Sequence, residues 1–140
     1  MKKLIFILLA LPLMGSTQAV EDAIDDKEYY QGDDEDRVYF LHEVTTQAQF
    51  PGGEEKMLLF ISQNYVLPSF NIEKKTEGMI IVAFVIEKDG SISNVKILRG
   101  LTKTANTEAI RVINLMPKWT PARVSNKPVK VQMHIPLMLQ

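Results

Sequence analysis

From Glu77 to Gly100 the chain reads EGMIIVAFVIEKDGSISNVKILRG, and from Leu101 to Gln140 it continues LTKTANTEAIRVINLMPKWTPARVSNKPVKVQMHIPLMLQ. The first line holds two β runs. Residues 79–88 are rich in Ile, Val and Phe, and residues 91–99 alternate more loosely around Ile92, Val95, Ile97 and Leu98, as expected of paired strands. Asp89-Gly90 between them is favoured in a two-residue type I′ turn, where both central residues need positive φ. The second line opens with a helix over 105–116. Ala105, Ala109, Ile110, Val112, Ile113 and Met116 recur at helical spacing, Thr104 followed by Glu108 offers a cap, and Pro117 ends the run. A last strand over 129–139 puts Val129, Val131, Met133, Ile135 and Leu137 on one face and Lys130, Gln132 and His134 on the other. One face is expected to be buried and the other wet.

Connection rules then order these strands. A helix between the second and third makes those two run in the same direction, and such a crossover is right-handed. If they flank the first strand, every contact is antiparallel and the first strand is central, which suits its two apolar rows (Met79, Ile81, Ala83, Val85 and Ile80, Val82, Phe84, Ile86). The expected fold is therefore α+β: a three-stranded antiparallel sheet of order 2-1-3 with two helices packed on it. The third strand becomes an edge with free backbone donors and acceptors. Pro136 near its end agrees, since proline is tolerated on an edge and costly inside a sheet.

Upstream, an arm over 38–50 carries Val38, Tyr39, Phe40, Leu41 and Val44, and Pro51-Gly52-Gly53 breaks it. Glu54 and Glu55 suit the positive end of a helix over 54–65, whose Met57, Leu58, Ile61 and Tyr65 form one stripe. The first nineteen residues read as a signal peptide: Lys2 and Lys3, an apolar run from Leu4 to Met14, then Thr17-Gln18-Ala19 as the exit. A run of about twelve residues rises only ~18 Å as a helix, against a hydrocarbon core ~30 Å thick. It is expected to be cleaved. Residues 20–37 carry nine acidic and two basic side chains, whereas twelve basic and eight acidic ones leave a net +4 from Val38 onward. So dense a run of like charge cannot repay its ordering entropy and reads as a disordered tail.

Composition excludes several classes. The 140 residues are 46% hydrophobic, enough for one core, and contain no cysteine, which rules out a disulfide scaffold or thiolate zinc site. The two histidines, His42 and His134, have no partner at metal-ligand spacing, and no serine sits in a nucleophile elbow. Neither catalysis nor a metal or cofactor is expected. Arg99, Lys118, Arg123, Lys127 and Lys130 lack an aromatic stacking platform or a groove-reading helix, so nucleic acid is not an expected partner. Nothing suggests a small-molecule substrate.

Several short motifs occur in a fixed order: Phe50-Pro51-Gly52-Gly53-Glu54-Glu55, Pro68, Glu77-Gly78, Phe84-Val85-Ile86 with Asp89-Gly90-Ser91-Ile92, Arg99-Gly100, and Met116-Pro117-Lys118-Trp119-Thr120-Pro121. Together they resemble the C-terminal domain of TonB, above all the TonB-like proteins of Bacteroidetes-type bacteria. The likeness spans about Val44 to Gln140. It implies a periplasmic, non-enzymatic domain that takes up a short segment of an outer-membrane transporter, or of another envelope protein, as a strand added beside its own last strand. Carried over residue by residue, the partner-binding edge is Lys130, Val131, Gln132, Met133 and His134, with Asn64 as a neighbour. Val131 and Met133 would face the core and the other three the guest.

The chain also departs from a force-transmitting TonB. Its apolar N-terminal run is short, and no proline stands between Val20 and Phe50. That stretch of about thirty residues cannot exceed ~105 Å. A freely diffusing periplasmic adaptor linked to TonB-dependent transport is therefore the expectation. A self-associating envelope module, a homodimer through edge strands, is the alternative from another class; a membrane-anchored transducer would need the N-terminal segment retained.

Overall fold

The computed structural model describes residues 35–66 and 77–139, together with the backbone of Leu4–Ile5. Of the expected signal peptide only Leu4–Ile5 falls within these residues, and of the acidic tail only Glu35, Asp36 and Arg37; the rest of both lies outside them. In chain order the elements are β1 (Leu4–Ile5), β2 (Val38–Tyr39), α1 (Glu54–Asn64), β3 (Gly78–Ile86), β4 (Ile92–Arg99), α2 (Lys103–Asn114), β5 (Ala122–Val124) and β6 (Lys127–Leu139).

The architecture is α+β, two helices on a mixed sheet. β3 lies between β4 and β6 and is antiparallel to both, with Gly78 opposite Leu139 and Ile86 opposite Val131. The sheet is larger than the three strands expected, because β6 collects further partners on its outer side. β5 and β1 pair with it antiparallel and β2 parallel. Two of these pairings join segments remote in sequence, where hydrophobic period gives no hint of a partner.

β3 explains where the core sits. Its Ile80, Val82, Phe84 and Ile86 pack with Val131, Ile135 and Leu137 of β6 beneath Met57 and Ile61 of α1 and Ala105, Ala109, Val112 and Ile113 of α2. The opposite row, Ile81, Ala83 and Val85, is buried as well. A central strand apolar on both faces gives the continuous run seen in the sequence. α2 starts two residues before its apolar stripe: Thr102, rather than Thr104, is the N-cap, and its hydroxyl accepts from the Ala105 N–H at 3.1 Å.

The two hairpins correct the turn assignment. Asp89 does not have positive φ, and Gly90 alone is left-handed at 87°. Gly90 N–H donates to Glu87 O at 2.9 Å and Glu87 N–H to Ser91 O at 2.8 Å. These bonds close a three-residue loop with a left-handed glycine, the bulged alternative to type I′. The two-residue turn with both φ positive lies instead at Ser125 (49°) and Asn126 (66°), between β5 and β6.

Candidate functional site

β6 is thirteen residues long and is covered unevenly along its outer side. At its start Lys127, Pro128 and Val129 pair with β5; Lys130 and Val131 pair with Val38 and Tyr39; Met138 and Leu139 pair with Ile5 and Leu4. Between these, residues 132–137 have β3 on one side and no partner strand on the other among the described residues. Pro136 sets the phase of the open stretch. It has no N–H to give, yet it stands opposite Ile81 in an unbroken antiparallel ladder. It therefore occupies a position whose backbone groups turn away from β3, and so do His134 and Gln132, two and four residues before it.

The segments that cover the start of β6 are held by polar contacts. Thr45 N–H and Thr46 N–H donate to Arg123 O at 2.9 and 3.0 Å, and the Thr45 hydroxyl donates to the same oxygen at 2.9 Å, so the arm is tied to β5. β2 is tied by charge. Lys130 Nζ lies 3.1 Å from Asp36 and 3.5 Å from Glu87, Arg37 pairs with Glu43, and the Arg37 guanidinium sits 4.5 Å from the centre of the Tyr39 ring. The Asp36 contact chiefly, with Glu87, holds the Lys130 ammonium above its ordinary pKa.

Under the open stretch lies a cavity of about 390 Å³. Met133, His134, Ile135 and Pro136 line it on one side, and Leu41, Ala48, Phe50, Met57 and Trp119 are among those on the other. Four consecutive residues of a strand alternate between faces, so they can share one space only when it meets the strand edge-on. Trp119 is buried at its wall, edge-on to Phe50 (centroids 5.6 Å apart) and to Phe84 (5.9 Å). Its backbone N–H donates to Gly90 O at 2.8 Å, which ties the β3–β4 hairpin to the segment that leads into β5.

The expected site residues divide. Lys130 and Val131 lie on β6 but their outer side is taken by β2, so they are not the free edge anticipated. Val131 is in the core and Met133 packs partly buried against it. Gln132 is a correction: its side chain is only 2% exposed rather than wet. It sits opposite Val85 in the second apolar row of β3, with its amide nitrogen 3.2 Å from His134 Nε2 and its Oε1 without a hydrogen-bond partner. His134 is half-buried, and desolvation pulls its imidazole below the ordinary pKa of 6.5. Asn64 ends α1 and serves the helices: its side chain donates to Phe60 O at 2.7 Å and its carbonyl accepts from Arg111 at 2.6 Å. Neither bond reaches β6. The arm residues Leu41, Ala48 and Phe50 were not anticipated at the site, although their apolar run before Pro51-Gly52-Gly53 was a signal that they need cover.

The family model described as Gram-negative bacterial TonB protein C-terminal matches residues 64–138. The chain belongs to the TonB C-terminal family. Membership makes it a TonB-like protein-interaction module of the cell envelope, in a family whose domain is non-enzymatic and generally interacts with outer-membrane transporters. The match runs from the end of α1 almost to the end of β6, so the family core includes the uncovered stretch and excludes the arm. The NMR solution structure of the Helicobacter pylori TonB C-terminal domain is 26% identical, with a TM-score of 0.45, over 60% of this chain and 76% of that one. No curated protein matches this chain. Among the described residues of this TonB-like domain, no helix is long and apolar enough to cross a membrane, and no group of three His, Asp or Glu side chains could hold a metal ion.

Proposed function

We infer that this chain is a periplasmic, non-enzymatic adaptor that receives a short segment of an outer-membrane transporter, or of another envelope protein, by strand addition on the outer side of β6. The observation that carries this reading is the interval at residues 132–137, where among the described residues β6 has a neighbour on one side only while β5 and β2 occupy the start of the same edge; Leu4–Ile5, paired beyond it, belong to the segment that cleavage removes. Unpaired N–H and C=O groups on a rigid strand are a template for another extended chain: main-chain bonds supply affinity and alternate side chains supply selection. The interval admits a guest of about six residues, roughly 20 Å long. Export by the N-terminal signal and a role in TonB-dependent transport belong to the same reading, and sequencing the N-terminus of chain recovered from the envelope is expected to find Val20 first.

His134→Pro is the direct test. In the register derived above, its N–H turns outward, as the missing N–H of Pro136 would, so proline there removes an edge donor and leaves the ladder with β3 intact. Gln132→Pro is a poorer choice, since it disturbs a buried side chain. Labelled full-length chain is titrated with a synthetic peptide carrying the periplasmic segment of a transporter from the same bacterium. Shifts confined to the amides of residues 132–137, lost in His134→Pro, are the expected result; equal shifts in both proteins would refute strand addition.

A further inference from the structure

The cavity beside the open stretch has no part in holding β6 to β3, and its lining differs from the rest of the surface. Met133 and Ile135 form one wall; Leu41, Phe50, Met57 and Trp119 form the facing one. Ile135, Phe50, Met57 and Trp119 are buried residues of the main core, so the cavity is a recess in that core which opens at a strand edge. Among the described residues, Glu54 and His134 are the only titratable side chains in the lining and no lysine or arginine lines the space. Burial disfavours the charged form of His134. An acidic side chain would lose its water there without gaining a counter-charge.

We propose that this cavity is a specificity pocket that accepts one large apolar side chain, of leucine, methionine or phenylalanine size, from the strand added at residues 132–137. The proposal rests on the strand-addition reading and names the chemistry of the guest. Two features of the structure commit the occupant to an extended peptide. The rim of the cavity is backbone whose outer donors and acceptors have no partner strand among the described residues, and only an occupant with a backbone of its own can satisfy that rim along several residues. A strand laid there also continues the alternation of the sheet, so every second side chain points to the face shared by Met133 and Ile135 and meets the recess. β2 limits the guest at Val131, and a guest lying along residues 132–137 presents about three side chains on that face. A guest with small residues throughout would leave the recess empty, at the cost of the contacts that a filled one supplies.

The test uses the full chain with methyl-labelled methionine and labelled backbone amides. Capped six-residue peptides on an alternating Thr host vary one central position among Ala, Leu, Phe, Lys and Asp. The Leu and Phe peptides are expected to bind about tenfold more tightly than the Ala peptide, as burial of the added apolar surface implies. They should move the Met57 and Met133 methyls, while the His134 amide responds to the Ala peptide too. Equal affinity for Ala, Leu and Phe with a moving His134 amide would overturn the pocket and leave strand addition standing. A His134 amide that no peptide moves would overturn both. Tightest binding of the Lys or Asp peptide would overturn the apolar assignment. Ala48→Leu partly fills the recess, and the expected result is a smaller Leu-to-Ala ratio with an otherwise unchanged amide spectrum.

Discussion

β4 and β6 border β3 on its two sides, and each turns one row of backbone groups away from it. Among the described residues β4 pairs with β3 alone. Its register slips between Ile81 and Val82 and again between Ala83 and Val85, Asn94 takes a left-handed φ of 49°, and Lys96 and Arg99 lie along it. Bulges twist an edge out of line and charges oppose a second strand, so β4 is a poor template despite its free side. β6 is straighter. Its nine-residue ladder with β3 is continuous, and its outer side is guarded by short segments of its own chain rather than by bulges. The contrast teaches that one edge is closed by local geometry and the other by occupancy, and occupancy leaves a gap at residues 132–137.

Four experiments sharpen or break this contrast. The largest effect is expected at Gly90, where the two sides of the molecule are tied together through Trp119. A Cβ there would come within 1.9 Å of Trp119 O, and φ is already 87°. Gly90→Val should cost about 3 kcal/mol in denaturant unfolding, from left-handed strain plus overpacking; a change below 1 kcal/mol would mean that the hairpin tip and the segment before β5 are not coupled. Next comes the hydrogen-bonded guard of β6. Thr45→Ala removes the hydroxyl that donates to Arg123 O and accepts from Ser125 N–H at 3.1 Å, for a loss of about 1 kcal/mol and faster amide exchange in β5 with none in β4.

Smaller effects are expected from charge. Lys130→Met deletes the contacts to Asp36 and Glu87, a loss of about 0.5 kcal/mol that shrinks with added salt. Its sharper readout is freer exchange of the Tyr39 amide, because β2 loses one of its ties. The smallest effect is a slope with pH. His134 binds a proton less readily folded than unfolded, since burial lowers its pKa from 6.5. Its contribution is therefore complete above pH 6.5 and declines as the pH falls below that value, until the folded ring is protonated too. His134→Gln should flatten this part of the stability profile.

Much of the frame was legible from local pattern. The two hydrophobic rows of β3 pointed to a strand covered on both faces, and Ile81, Ala83 and Val85 are buried as those rows require. The stripe of Ala105, Ala109, Val112 and Ile113 is the buried face of α2. Turn chemistry was harder to read. Asp89-Gly90 suits both a two-residue and a bulged three-residue loop, whereas Ser125-Asn126 drew no attention even though asparagine tolerates left-handed φ. The candidate site was legible only in outline. An edge at the last strand followed from connection rules, but Gln132 had been assigned to solvent because alternation shows which face a residue is on and not what covers that face. Asn64 was placed beside the edge by analogy; its bonds to Phe60 and Arg111 join the helices instead.

By itself, then, the amino-acid order determined the elements, the central place of β3 and the family motifs, since propensity, period and handed crossovers act over a few residues or one connection. Tertiary structure alone decided which parts of β6 stay open. Val38 meets Lys130 and Thr45 meets Arg123 across most of the folded domain, and such meetings depend on where the chain returns in space, which local chemistry does not encode.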